Sequence, residues 1–218
     1  CSIVYGSALA FTQTDARLIV GYSSVAQLGF ITLGIFALNQ QGAQGALLQM
    51  VNHGLVTAPL FFIIAAAAAR AGGSEDLRDM GGIAFRAPVL ATLALIVALA
   101  TLAMPGSSNF IGEFMILLGV FQAKTAVSVI AFLGVIGAAV YALRLLITAF
   151  HNRVGRSVTS REVALAEAVA IVPIVLVILV LAVYPQFGLK RSEPTVRATI
   201  APAQIQAASG HAVRVASR

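Results

Sequence analysis

Apolar runs separated by short polar connections follow one another along the chain from its first residues to Tyr184. Crossing roughly 30 Å of hydrocarbon takes about 20 helical residues, and that ruler sorts the runs. The first, Cys1 to about Phe11, is long enough only for the end of a helix and closes at the polar turn TQTD. A second runs from about Arg17 to Leu38, and the uncharged turn NQQGAQG joins it to a third, from about Ala46 to Ala69. The connection ARAGGSEDLRDMGGIAFRAP brings Arg70, Arg78 and Arg86 beside Glu75, Asp76 and Asp79 and must lie outside the membrane. Further runs cover Val89 to Ala103, Asn109 to Gln122, Thr125 to about Phe150, and about Val163 to Tyr184. The pattern predicts an all-α, polytopic membrane helix bundle over residues 1–187, with about six crossings. Residues 188–218 read as a polar, basic, mobile tail.

The runs at Val89–Ala103 and Asn109–Gln122 decide the topology. The second holds about 14 residues and reaches only about 21 Å as a helix. Between them stands MPGSSN, where Pro105 lacks an N–H and Gly106 relaxes the backbone. Two separate crossings are one arrangement; one crossing interrupted near its centre is the other, and the shortness of both runs favours it. Irregular backbone is tolerated in a membrane only where protein or an internal cavity satisfies it, a feature of transporters. With one broken crossing, Arg17, Arg70, Arg78, Arg86, Arg153, Arg156 and Arg161 share a side. Lys124 then lies opposite, where Lys190, Arg191 and Arg197 of the tail join it.

Composition agrees with a membrane protein and removes other classes. The chain is 59% hydrophobic and 10% charged, too little polar surface to cover a soluble core of this size. Its net charge of +6 sits at the ends of apolar runs instead of in a basic patch interleaved with aromatics, which argues against nucleic acid. One cysteine, Cys1, excludes a disulfide framework, a thiolate zinc site and an iron-sulfur cluster held by this chain. The chain opens straight into SIVYGSALAF, with no basic leader, and reads as starting inside a longer protein. No phosphate loop, paired metal-ligand spacing or nucleophile elbow occurs, so the chemistry left is ion movement.

Polar groups inside the apolar runs are the candidates for that chemistry. Glu113 stands five residues after the serine pair of the break. An ionised carboxylate near the bilayer centre costs roughly 2.5–3.5 kcal/mol even on lenient scales, so it must be paired, hydrated or protonated. Its other role is to complement the dipole of the half-helix that Ser107, Ser108 and Asn109 begin, and the two roles are compatible. Gln49, Asn52, His53 and Thr57 share one helical face, followed by Pro59, where a kink is expected. His53 is either a satisfied packing residue or a group that exchanges protons near neutral pH. Tyr22, Ser23, Ser24 and Gln27 on one run, and Tyr141, Arg144, Thr148 and His151 on another, extend a polar path. Arg144 and His151 also fit interfacial snorkelling, and Asp15 with Arg17 also fits a surface pair at a helix start.

QTDARLIVGYSSVAQLGF, GALLQMVNHGL, DMGGIAFRAPVL, MPGSSNFIGEFMILLGVFQ and the closing YPQF resemble the C-terminal part of the chain M family. These are the subunit-4-type proton-translocating subunits of NADH:quinone oxidoreductase, respiratory complex I. The likeness extends to about Pro194 and implies two inverted repeats in the full subunit, each with a broken helix, of which this chain would hold most of the second and the last helix. It implies that Glu113 is the terminal proton-binding carboxylate and His53 the relay group on the neighbouring helix. Two positions depart from the family pattern. Asp15-Ala16-Arg17-Leu18 stands where Asp-x-Lys-Arg is usual, and Arg17 keeps its charge more firmly than a lysine would. Gln27 stands where histidine is frequent and can hydrogen-bond a water wire but cannot carry a net proton. The implied partners are other membrane-arm subunits and the lipid bilayer of a bacterial cell membrane. NADH, flavin, iron-sulfur clusters and quinone would belong to partner subunits, with no cofactor or metal in this chain. Two rivals remain: a subunit of a multisubunit cation/proton antiporter, which would use the same Glu113 and His53, and a passive membrane anchor whose buried polar groups are helix–helix glue.

Overall fold

The computed structural model describes residues 1–153 and 158–216, with side chains through Gln206. Nine α-helices carry the described residues: α1 (Ser2–Thr12), α2 (Ala16–Ile35), α3 (Gln40–Arg70), α4 (Ile83–Arg86), α5 (Pro88–Thr101), α6 (Ser108–Ala123), α7 (Thr125–Leu146), α8 (Leu165–Val183) and α9 (Gln186–Ala216). A π-helical turn, Ile147–His151, extends α7. Four spans, Ala16–Ile35, Gln40–Arg70, Thr125–His151 and Leu165–Val183, are long and apolar enough to cross a bilayer, whereas α1, α5 and α6 are shorter. Helix starts follow local chemistry. The Asp15 carboxylate accepts the Leu18 N–H at 2.9 Å to cap α2, Asn39 Oδ1 accepts Gly42 N at 2.8 Å to cap α3, and Ser107 Oγ accepts Phe110 N at 3.3 Å to cap α6.

The two faces of the bundle are separable by contact. On the first face, the strand-like pairing of Thr14–Ala16 with Glu75–Leu77 ties the start of α2 to the connection after α3. Arg86 Nη1 donates to Ser160 Oγ at 3.0 Å, and Gly81 N donates to Ala149 O at 3.0 Å, so Arg17, Arg70, Arg78, Arg86, Arg153 and Arg161 belong to this face. Arg156 lies outside the described residues. On the second face, the α2–α3 turn meets the end of α6, where Gln122 Nε2 donates to Gln41 Oε1 at 3.1 Å, and Lys124 stands beside it. The segment after Pro185 is helical as α9. Its Val196 and Ile200 are buried, and Gln40 Nε2 reaches Glu193 Oε1 at 3.3 Å.

α5 and α6 are the two halves of one crossing. α3 and α6 run antiparallel in a continuous register: Gly42 meets Gly119, Gly45 meets Ile116, Gln49 meets Gly112, and Asn52 Nδ2 donates to Ser108 O at 2.6 Å. At the other end, Glu162 accepts the Val89 and Leu90 N–H groups of α5 at 3.3 Å, while its own carbonyl takes Arg70 Nη2 at 2.9 Å. The single long helix α3 therefore spans the level of both short ones, and the turn Leu102–Ser107 is an interruption inside one passage. In that turn Ala103 and Gly106 adopt φ of 49° and 96°, conformations that glycine takes freely and alanine does not.

Candidate functional site

Glu113 sits one turn into α6 on the face that packs against α2 and α3, and it is buried to 3% exposure. Gln27 of α2 donates from Nε2 to Glu113 Oε1 at 2.6 Å. Gln49 of α3 donates from Nε2 to Gln27 Oε1 at 3.0 Å and lies 3.4 Å from Glu113 Oε1. The three side chains form a closed amide–carboxylate layer across three helices. Small residues permit it: a Cβ at Gly112 would stand 3.2 Å from Gln49 Cα, and one at Gly45 would stand 2.7 Å from Ile116 N. Close backbone approach lets short amides reach the carboxylate. None of the ion pairs among the described residues includes Glu113. Two amide donors can orient a carboxylate but supply no counter-charge, so a proton is the remaining way to neutralise it.

Polar groups lead from this layer toward the first face. Ser23, one turn before Gln27 on α2, is buried and borders a small cavity with Thr101 of α5 and Tyr141 of α7. Its volume is about 10 Å³ and its exposed walls are apolar, the Ser23 and Thr101 hydroxyls being turned to Val20 O and Val97 O at 2.8 Å. Tyr141 is 2% exposed and lines the same cavity from α7. Buried oxygens without a protein partner cluster on the same side: Asn52 Oδ1, Ser108 Oγ and Asn109 Oδ1.

The other candidates occupy different surroundings. His53 is partly buried on α3 and faces Thr57 Oγ1 at 3.2 Å from Nδ1; its ring does not touch Glu113, and Gln49 stands at the carboxylate instead. Asp15, Arg17 and Arg144 lie at the first face. Arg17 forms a two-pronged pair with Glu75 through Nε and Nη2, not with Asp15, whose carboxylate caps α2. Arg144 donates to the carbonyls of Phe11 and Gln13 and stacks on the Phe11 ring, closing the end of α1. Arg17 and Gln27 are ten positions apart on α2, about 15 Å at the helical rise, so Arg17 does not neutralise Glu113 directly, and no ion pair among the described residues joins Arg144 to it.

Two participants were not singled out from the sequence. Gln49 belonged to a recognised polar stripe, but helical spacing alone does not tell which member of a stripe meets a carboxylate. Arg70 read as a loop base; in the fold it is 2% exposed and all five of its N–H donors are used. Nε bonds Arg161 O, Nη1 bonds Ala66 O and Glu167 Oε1, and Nη2 bonds Glu162 O and Glu167 Oε2, at 2.6–3.0 Å. Four of the five bonds go to residues 91–97 positions later, beyond any local sequence signal.

Comparison with known proteins meets this geometry at several points. Residues 1–140 match the family model described as NADH:quinone oxidoreductase/Mrp antiporter, TM. Over 187 residues the chain is 38% identical to NADH-quinone oxidoreductase subunit M of Escherichia coli (strain K12), which covers 84% of this chain and 36% of that protein. The chain thus spans about a third of the length of this curated relative. A chain of respiratory complex I from Thermus thermophilus superposes with a TM-score of 0.83 at 33% identity, covering 91% of this chain and 42% of that one. A chain of the Mrp complex from a Dietzia species also reaches a TM-score of 0.83, over 92% of this chain and 46% of that one, and at 19% identity shows the shared fold alone. An integral membrane bundle with a broken helix, a buried carboxylate beside the break and a matching family model over most of its length place this chain in the transmembrane NADH:quinone oxidoreductase/Mrp antiporter family.

Proposed function

We propose that this chain is the proton-moving part of a membrane-arm subunit of NADH:quinone oxidoreductase. The observation that carries the reading is Glu113, a buried carboxylate beside a helix break, held by two amides without a cation. In this reading the carboxylate takes up a proton delivered from the first face along the buried polar groups of Asn52, Ser108 and Asn109 with Tyr141, and Gln27 and Gln49 keep its oxygen oriented. His53 serves as the relay group on α3, one turn from Gln49, with Thr57 fixing its ring. Asp15, Arg17 and Arg144 shape the field at the entrance rather than carry protons. Electron transfer, and with it NADH, flavin, iron-sulfur clusters and quinone, belongs to partner subunits of the same membrane arm and its redox module.

The test is Glu113→Gln in the assembled complex, which keeps the shape and the amide layer but removes the titrating group. Assembly stays near normal and fewer protons move per NADH oxidised; an unchanged stoichiometry overturns the assignment. The Mrp part of the family description supports a second reading, a cation/proton antiporter subunit using the same carboxylate. Sodium-dependent proton exchange in vesicles without NADH would favour it.

A further inference from the structure

The surroundings of Glu113 differ sharply along the membrane normal. Toward the first face lie the partnerless oxygens of Asn52, Ser108 and Asn109. Toward the second face the next layer is a separate apolar core of Phe30, Ile31, Ala46, Ile116 and Val120, each at most 5% exposed. Ile116 is fully buried one turn beyond Glu113 on the same face of α6. The helices close tightly on it: a Cβ at Gly34 would fall 2.8 Å from Ile116 Cγ1 and 3.1 Å from Ala46 Cβ. Ser128 at the edge of this core spends its hydroxyl on Leu117 O. Along α6 the next polar contacts with α3 and its turn are at the second face, where Asn39 Nδ2 donates to Gly119 O at 2.6 Å and Gln41 meets Gln122. From Glu113 to Gly119 is six residues, about 9 Å of α6 without a polar side chain facing α2 or α3.

We infer that Ile116, packed against Phe30 and Ala46, is the residue that sets which side Glu113 exchanges protons with: it seals the carboxylate from the second face and leaves it open to the first. The inference rests on the proposed role of Glu113 as the proton carrier. An apolar constriction blocks protons because a water wire cannot persist where nothing hydrogen-bonds it. Release to the second face then requires α6 to move relative to α2 and α3, far enough to separate Ile116 from Gly34 and Ala46. One carboxylate facing one side at a time is the condition for pumping instead of leaking.

The experiment uses the assembled complex in proton-tight vesicles, with an imposed pH gradient and no NADH. Ile116→Thr keeps the branched shape and adds a hydroxyl in the layer; Ala46→Ser does the same from α3; Ile116→Val controls for packing. Both polar variants are expected to dissipate the gradient severalfold faster than wild type, while Ile116→Val stays tight. Adding Glu113→Gln to Ile116→Thr is expected to abolish the leak. Polar variants that assemble normally and stay as tight as wild type overturn the gate, whatever Glu113→Gln does to pumping. A leak that survives Glu113→Gln supports the barrier and overturns Glu113 as the carrier.

Discussion

Gly112 offers a way to disturb the amide layer without touching any polar atom. A methyl there would meet Gln49 at its amide oxygen and stand 3.2 Å from both Cα and Cβ of that residue. The amide can swing away, but the backbone of α3 cannot without opening the whole glycine register with α6. Gly112→Ala therefore combines overpacking, about 1–3 kcal/mol, with loss of the Gln49 bond to Gln27 and its approach to Glu113. Taking the packing cost alone, and about 2–4 °C per kcal/mol for a domain of this size, the midpoint of thermal unfolding of the purified complex subunit falls by about 2–12 °C. Proton translocation falls as well, because Gln27 loses its partner at 3.0 Å. Gly54→Ala is the control, since nothing stands within 4 Å of a Cβ at that position of α3. In a double-mutant cycle Gln49→Ala removes the amide oxygen from the path of the new methyl but leaves Cα and Cβ in place, so the Gly112→Ala cost shrinks in part while its backbone share remains. If Gly112→Ala behaves like Gly54→Ala, or if its cost is the same with and without Gln49, the close packing does not hold the carboxylate layer.

Two predictions concern the first face. Arg70→Met leaves the Glu167 carboxylate and three carbonyls without their donor, and is expected to cost about 3–5 kcal/mol, whereas Arg70→Met with Glu167→Leu recovers much of that loss, read as subunit level and unfolding midpoint. The Arg78 guanidinium and backbone N–H hold the Asp76 carboxyl down from its ordinary 3.8 to about 2, so the pair's contribution is complete above pH about 3.8 and is lost as pH falls through about 2. Protection of the Arg78 amide against exchange, taken relative to the intrinsic rate at each pH, should hold at pH 4 and fall toward pH 2 in wild type, and Asp76→Asn should remove that acid transition.

The spans, the break and the burial of Glu113 were legible because each follows from a one-dimensional property: run length, a Pro-Gly interruption, or a charge inside an apolar run. The contact register between α3 and α6 also makes the single broken crossing a geometric fact, where charge counting gave only a preference. What the sequence withheld is depth and azimuth across helices. Arg17, Arg144 and Glu113 sit on stripes of similar appearance, yet Arg17 ends about three turns of helix from the carboxylate, bound to Glu75, and Arg144 is bound to the end of α1. His53 and Gln49 share a helix face within one turn, but the narrow gap at Gly112 admits Gln49 to the carboxylate and leaves His53 on the flank with Thr57. The tail read as mobile from its polarity, although its apolar positions at Val196 and Ile200 recur at helical spacing and bury against the bundle.

Arg70 serves two stages of the life of the protein. Its carboxylate partner lies 97 residues further along the chain, so α3 enters the membrane before that partner has been made. During insertion the side chain is a bare cation at the end of α3 and votes with Arg17, Arg78 and Arg86 for the side that retains basic loops. When α8 arrives, the same guanidinium is drawn inward and saturated, and it ceases to be a surface charge. A substitution at this position would thus act on orientation during synthesis as well as on the finished bundle. A lysine, equal in charge for the first role, could form at most three of the five bonds needed for the second.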